Sequence, residues 1–295
     1  MRKFIKYFLV LGLFLSASAL AQVETEQESL HKRQIHITGF NAYPPFGEWD
    51  TKEKVFTTAF DKFIEKYAKE RKFLIIDDFR HPEYKEIVRE VRRGNVDMIM
   101  GIYYESDTYT GLDYVFPSFV SNPVVVIMLP NRIDEAKGAD DLKKLKGAVN
   151  TQDQFSDYVN REIAKFNVER VDGAYDTFEK LFKGEVDYVF SGYYFGIVEA
   201  AKLGLRKKIA FSKQVIWEIP MFIGLSKVSE KRNFLIGNLR LFIDNNDVKS
   251  MLKQSIEEHI RRYEEKYIGV VPPSYSSGVP DADENEDDLK WKPIL

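Results

Sequence analysis

Arg93-Gly94-Asn95-Val96-Asp97-Met98-Ile99-Met100 returns ninety positions later as Lys183-Gly184-Glu185-Val186-Asp187-Tyr188-Val189-Phe190. Each copy reads as the end of a helix stopped by glycine, an acidic turn, and a buried strand. Each is followed by a tyrosine pair, Tyr103-Tyr104 and Tyr193-Tyr194, which predicts an aromatic loop at the carboxyl end of the strand. One such unit is common in α/β chains. Its doubling, tyrosines included, points to two similar lobes.

The surrounding pattern fits that reading. Residues 34–39 alternate Ile35 and Ile37 with His36 and Thr38, as a strand does. A turn-rich segment, Asn41-Ala42-Tyr43-Pro44-Pro45-Phe46-Gly47, follows. Phe56, Phe60, Phe63, Ile64 and Tyr67 then fall on one face of a 3.6-residue period and predict a helix. A strand over 73–76, a helix over 84–93 and a strand over 96–100 complete the first unit. This order predicts a mostly parallel sheet covered by helices. Between the copies the expectations are a strand over 124–129, charged loop and helix over 134–146, and a strand over 147–150. A helix over about 155–166 is expected to open at Thr151-Gln152-Asp153-Gln154. After the second copy come a helix over 195–203, a strand over 208–211, an apolar run over 216–225, and amphipathic helices over 230–243 and 248–266. From about residue 269 the chain turns polar, with four prolines and six acids among residues 281–288, and predicts a disordered acidic tail.

The two ends of the chain bear on where it works. Arg2, Lys3 and Lys6 precede an apolar run over 8–14, and small residues end in Ala19-Leu20-Ala21. That order is a secretory signal peptide over 1–21. The apolar run is too short for a spanning helix, which needs roughly 20 apolar residues. There is no cysteine, so neither a lipid-modified cysteine nor a disulfide is available. The expected mature protein is soluble in the periplasm, without membrane insertion after cleavage, and monomeric. Its 274 residues, with 44% hydrophobic residues overall, suffice for two modest lobes. The net charge of −3 becomes −6 once the basic leader is removed, which gives no general attraction for nucleic acid or anionic membrane.

In the order Ala42-Tyr43-Pro44-Pro45-Phe46, Gly94-Asn95-Val96-Asp97-Met98-Ile99, Asp113-Tyr114-Val115-Phe116-Pro117, Asp141-Leu142 through Lys146-Gly147, Gly184-Glu185-Val186-Asp187 and the strand over 219–227, the chain resembles bacterial extracellular solute-binding proteins of the amino-acid-binding type (family 3). The resemblance covers about residues 34–268. It implies a type II periplasmic-binding-protein fold, a two-lobed α/β Venus flytrap with two crossover strands, mapped to about 122–129 and 215–222. Lobe 1 would comprise 34–125 and 221–268, and lobe 2 residues 126–220. It further implies a ligand held between the lobes, hinge closure, and delivery to an inner-membrane ABC permease.

Departures from that pattern are specific. Relatives that bind amino acids carry an arginine in the loop after the first Gly-x-Val-Asp strand, whose fork grips a carboxylate. That place falls on Thr108, or on Tyr109 one register away, and no lysine or arginine occurs from Asn95 to Asn131. The aspartate that meets the ligand ammonium aligns with Ser191 or Gly192, and the usual Gly-Phe-Asp segment is Phe56-Thr57-Thr58-Ala59-Phe60-Asp61. Both poles of the amino-acid clamp are missing from their expected places. The cleft is then expected to be aromatic and uncharged, built from Tyr43, Phe46, Trp49, Tyr103, Tyr104, Tyr193 and Tyr194, with Trp217 as a further ring and Thr108 beside them. Such a wall suits a small polar or aromatic ligand, or a cation held by ring faces. Thr151, Gln152 and Asp153, at the opening of the second-lobe helix, could offer free N–H groups to an acceptor, or Thr151 or Asp153 could simply cap that helix.

An enzyme is not expected. His31, His36, His81 and His259 lack metal-ligand spacing, and no nucleophile elbow, phosphate loop or dinucleotide fingerprint is present, so no cofactor or metal is implied. A dehydratase-like enzyme on the same fold is the minor alternative. The stronger alternative is a transport-independent periplasmic sensor or partner-binding module.

Overall fold

The computed structural model describes residues 33–50, 52, 55–77, 84–104, 111–136, 138–153 and 155–282. The expected signal peptide, the polar lead-in after it, Thr108 with Tyr109, and residues 283–295 lie outside the described residues.

A nine-stranded sheet runs through the molecule in the order β5 (Leu74–Asp77), β1 (Gln34–Gly39), β6 (Met98–Tyr103), β12 (Trp217–Ser226), β7 (Leu112–Met128), β10 (Tyr188–Gly192), β8 (Gly147–Asn150) and β9 (Val168–Val171), with β11 (Ala210–Phe211) also beside β7. At one end β5, β1 and β6 are parallel, and at the other β10, β8 and β9 are parallel. Each parallel set is the floor of one lobe. Joining them are two long antiparallel strands. In β7, Val124 lies opposite both Trp217 of β12 and Gly192 of β10, so the strand passes there from one lobe to the next.

The repeated sequence has a physical cause visible in both lobes. In the first, helix α2 (Tyr84–Arg93) stops at Gly94, whose φ of 82° needs no Cβ. Asp97 then exchanges two hydrogen bonds with the neighbouring parallel strand: its N–H donates to the His36 carbonyl, and its carboxylate accepts from the His36 N–H at 3.0 Å. In the second, α5 (Ala174–Phe182) stops just before Gly184, at φ 69°, and Asp187 repeats the exchange with Lys146, whose N–H reaches the carboxylate at 2.8 Å. The aspartate is therefore a register pin between the incoming strand and its parallel partner.

Helices α1 (Asp61–Arg71), α7 (Arg232–Ile243) and α8 (Asn246–Lys266) cover the first lobe through Phe63, Tyr67, Leu235, Leu239, Phe242, Val248 and Leu252, all buried. The second lobe carries α3 (Ala139–Leu142), α4 (Asp157–Ile163), α5 and α6 (Tyr193–Lys202). Among the described residues no helix is long and apolar enough to cross a membrane.

Four expectations need correction. The helix expected from Phe56 begins at Asp61, because Thr58 accepts from the Phe60 N–H and donates to the Phe46 carbonyl, turning the chain first. Phe56 instead belongs to a small antiparallel sheet of β2 (Ala42–Tyr43), β3 (Gly47–Asp50) and β4 (Val55–Thr57), inside which the expected turn-rich segment falls. The second tyrosine pair opens α6 rather than a loop. The tail, expected to be disordered from 269, is placed on the second lobe as far as residue 282, with Ser276 buried.

Candidate functional site

Where the lobes meet, loops at the carboxyl ends of their strands converge on one buried polar cluster. Tyr43, on β2 of the first lobe and 1% exposed, donates its hydroxyl to Asp153 Oδ1 at 2.7 Å. Asp153 follows β8 in the second lobe, and its other oxygen accepts from the Ser191 hydroxyl at 2.7 Å and the Gly192 N–H at 2.8 Å. Those donors stand at the start of α6, where the helix dipole also favours a carboxylate. Asn122, on the crossover strand β7 and fully buried, donates its amide to the hydroxyls of Tyr43 and Tyr103, both at 2.9 Å. Its Oδ1 is buried with no hydrogen-bond partner among the described residues. A buried acceptor left without a donor costs free energy that a donor brought from outside would recover.

Rings wall the cluster. Phe195 stacks on Tyr43 with centroids 5.0 Å apart and an interplanar angle of 13°. Phe46 stacks on Phe60 at 5.5 Å and meets the edge of Tyr194, from the opposite lobe, at 5.6 Å. Gly192 makes the approach possible, since a Cβ there would lie 2.7 Å from the Tyr43 hydroxyl and 3.0 Å from the Asn122 amide.

The electrostatics are those of an acid in an apolar enclosure. Burial pushes the Asp153 carboxyl up to about 7, against the pull of hydrogen bonds from Tyr43, Ser191 and Gly192, and Glu199 adds a second negative charge nearby. Burial and the Asp153 charge hold the Tyr43 hydroxyl well above its ordinary range. The arrangement leaves one amide acceptor, Asn122 Oδ1, unpartnered inside an aromatic wall, which is chemistry for holding a hydrogen-bond donor.

Of the expected site residues, the structure brings together Tyr43, Phe46, Tyr103, Asp153 and Tyr194. Tyr193 lies behind this group, edge-on to Phe211 at 5.6 Å in the second-lobe core. Trp49 lies on β3 opposite Phe56 in the small sheet. Tyr104 is 54% exposed and packs with Tyr114, Phe116 and Phe222 on the first lobe. Trp217 packs against Phe166 and Phe190. Thr151 is exposed and donates to Asp172 at 2.9 Å, while the exposed Gln152 donates its N–H to Asn150 Oδ1 at 3.0 Å. Neither Thr151 nor Gln152 is at a helix opening, because α4 starts at Asp157 with Ser156 as its cap, accepting from the Val159 N–H at 3.3 Å. Asp153 neither caps that helix nor leaves its carboxylate open. It supplies the acidic pole beside Ser191 and Gly192, where alignment placed none.

Sequence reasoning missed Asn122, Phe195 and the acceptor role of Asp153. The polar Ser121 and Asn122 leading into the apolar run of Val120-Ser121-Asn122-Pro123-Val124-Val125-Val126 were a usable signal.

No protein-family model matches the sequence, and no curated protein matches it. Solved structures do match in fold. An amino acid ABC transporter substrate-binding protein from Streptococcus pneumoniae, bound to L-arginine, aligns over 80% of this chain and 98% of its own, with TM-score 0.58 and 12% identity. The second substrate-binding domain of GlnP from Lactococcus lactis, in an open conformation, aligns over 78% and 96%, with TM-score 0.58 and 18% identity. A histidine kinase sensor domain described as similar to periplasmic binding proteins aligns over 82% and 98%, with TM-score 0.53 and 16% identity. With two parallel sheet halves joined by two crossover strands and a polar cluster at their junction, the chain has the two-lobed α/β fold of the type II periplasmic binding proteins.

Proposed function

We propose that this chain is an exported solute-binding protein, cleaved after residue 21, whose lobes (34–125 with 221–268, and 126–220) close on a small polar or aromatic ligand and pass it to an ABC-type permease. The observation that carries the reading is the hydrogen bond from Tyr43 on β2 to Asp153 just after β8, made between opposite lobes inside an aromatic enclosure. A ligand held there touches both lobes at once, and so favours the closed arrangement by its differential affinity. The unpartnered Asn122 Oδ1 favours a ligand that donates a hydrogen bond. The absence of lysine and arginine from Asn95 to Asn131 disfavours one that presents a carboxylate to the first lobe. Binding is the reading, because the buried acid accepts from Tyr43, Ser191 and Gly192 together and so ties the two lobes to one another. A periplasmic sensor is the second reading, favoured by the likeness to a kinase sensor domain.

Calorimetry on protein unfolded, stripped and refolded decides the ligand class. Uncharged or cationic donors should bind, and free α-amino acids should bind weakly or not at all. Tight binding of an α-amino acid would overturn the ligand reading.

A further inference from the structure

Helix α8 is a single unbroken element of 21 residues, about 31 Å long at ~1.5 Å per residue. Its apolar stripe serves both lobes. Val248, Leu252 and Ile256 pack into the core that holds Phe63, Tyr67, Leu239 and Phe242 of the first lobe. One and two turns further on, Ile260 and Tyr263 pack into the core that holds Val125, Ile127, Val198 and Phe211 of the second. A continuous helix with a buried face in each lobe cannot follow a hinge rotation without losing one of those faces.

Polar contacts secure the second half. Glu48, on β3 of the first lobe, accepts from the Tyr263 hydroxyl through one oxygen and from Lys202 of α6 through the other, the latter at 2.9 Å. Lys202 also binds Glu199 at 3.0 Å and lies over the Tyr263 ring. Arg206 pairs with Glu264 at 2.9 Å.

The chain then leaves the helix, turns at Gly269 and stays on the second lobe. Backbone meets backbone at Gly204, where a Cβ would lie 2.4 Å from the Val270 carbonyl oxygen. Tyr275 sets its ring against Tyr175 at 5.2 Å and Phe182 at 5.5 Å. Lys208 donates to the Val279 carbonyl at 2.6 Å and pairs with Asp281 at 2.8 Å, and the Ala282 N–H reaches the Lys207 carbonyl at 2.6 Å.

We propose that α8 and residues 267–282 form an interlobe strap that holds the two lobes in the closed arrangement before any ligand is bound. Opening then requires the tail to leave α5 and the Gly204 to Lys208 turn, after which the last turns of α8 can part from the second lobe. Ligand exchange is limited by that release rather than by free hinge motion.

The absence of native cysteine lets two introduced ones report the interlobe distance: Lys69→Cys on α1 and Asp157→Cys on α4, both exposed. Pulsed electron paramagnetic resonance on the stripped, refolded full chain should give one narrow distance population. Two perturbations test the strap. One is Tyr275→Ala with Lys208→Ala. The other is a protease site inserted after Gly269 and cut once the protein has folded, with the tail removed by gel filtration, which keeps the test independent of how the point variants fold. Either should add a longer-distance population. A stripped, uncut protein already divided between short and long distances would overturn the proposal, and so would a cut protein that keeps the single short distance.

Discussion

Asp153 accepts three hydrogen bonds and is 6% exposed, and the balance between burial and those bonds sets a pH signature. Its folded-state carboxyl is raised to about 7, above the value of ~3.9 expected in the unfolded chain. A group raised on folding stabilises fully below its unfolded value and loses that contribution as pH rises through the folded one. Compared with Asp153→Asn, the wild type should therefore lose roughly 2 to 4 kcal/mol of stability between about pH 4 and pH 7, and run parallel to it above. Urea unfolding across that range measures the difference in slope, and equal slopes would mean that the buried proton is assigned wrongly. Tyr43→Phe removes the donor to Asp153 and an acceptor for Asn122 while keeping the stack on Phe195. It should cost about 1 to 3 kcal/mol in the same assay, with most of the loss disappearing in the Asp153→Asn background. Additive losses would show that the two residues do not act as a pair. The aromatic half of this cluster was legible in sequence, because Tyr43, Phe46 and Tyr194 lie beside strand ends. Of the polar half, Asp153 was named but its partners were not, since hydrogen bonds between residues 110 and 38 positions apart leave no local pattern.

At the scale of elements, the twin aspartates offer an internal comparison. Both pin a strand to its parallel neighbour, but their surroundings differ. Asp97 has a side chain only 7% exposed and also binds Ser229 and Lys231, whereas the Asp187 side chain is 27% exposed and pairs with Arg132. Removing the more buried partner leaves donors unmatched, so Asp97→Ala should cost about 3 kcal/mol and Asp187→Ala about 1 kcal/mol. Thermal unfolding of both variants checks the order, and a reversal would show that burial is not what distinguishes them. These repeats made the sheet readable because each contains its own punctuation, a glycine stop and an acidic turn. Helices α2 and α8 were readable for related reasons, a glycine terminator in one and a sustained apolar period in the other. The small sheet escaped because strands of two to four residues are too short for an alternating pattern. Phe56 fits a helical period with Phe60 and Phe63 by coincidence of spacing, and only the Thr58 turn decides against it. In β7, Pro117 and Asn122 interrupt the apolar run, so one strand of 17 residues read as a lead-in and a shorter strand.

For the whole molecule, the two lobes were implied by the doubled unit, and the crossover strands by the family resemblance, whereas the order of strands in the sheet was not predicted. Nor was the destination of the tail, because its composition is that of a solvated segment and its anchors, Tyr275 and Ser276, are single residues among prolines and serines. A strap of this kind would make a solute-binding fold slow to open, which suits retention of a scarce ligand as well as sensing. The two readings of function share one requirement, a small molecule held between the lobes at Tyr43, Asn122, Asp153 and Ser191. Native mass spectrometry of gently purified full-length protein tests that requirement most directly, with the folded Asp153→Ala, Asn122→Ala variant purified in parallel. The wild type should carry a discrete small-molecule mass that is released on unfolding and absent from the variant. A wild type without any such mass, and without one after incubation with a concentrated periplasmic extract, would contradict the account.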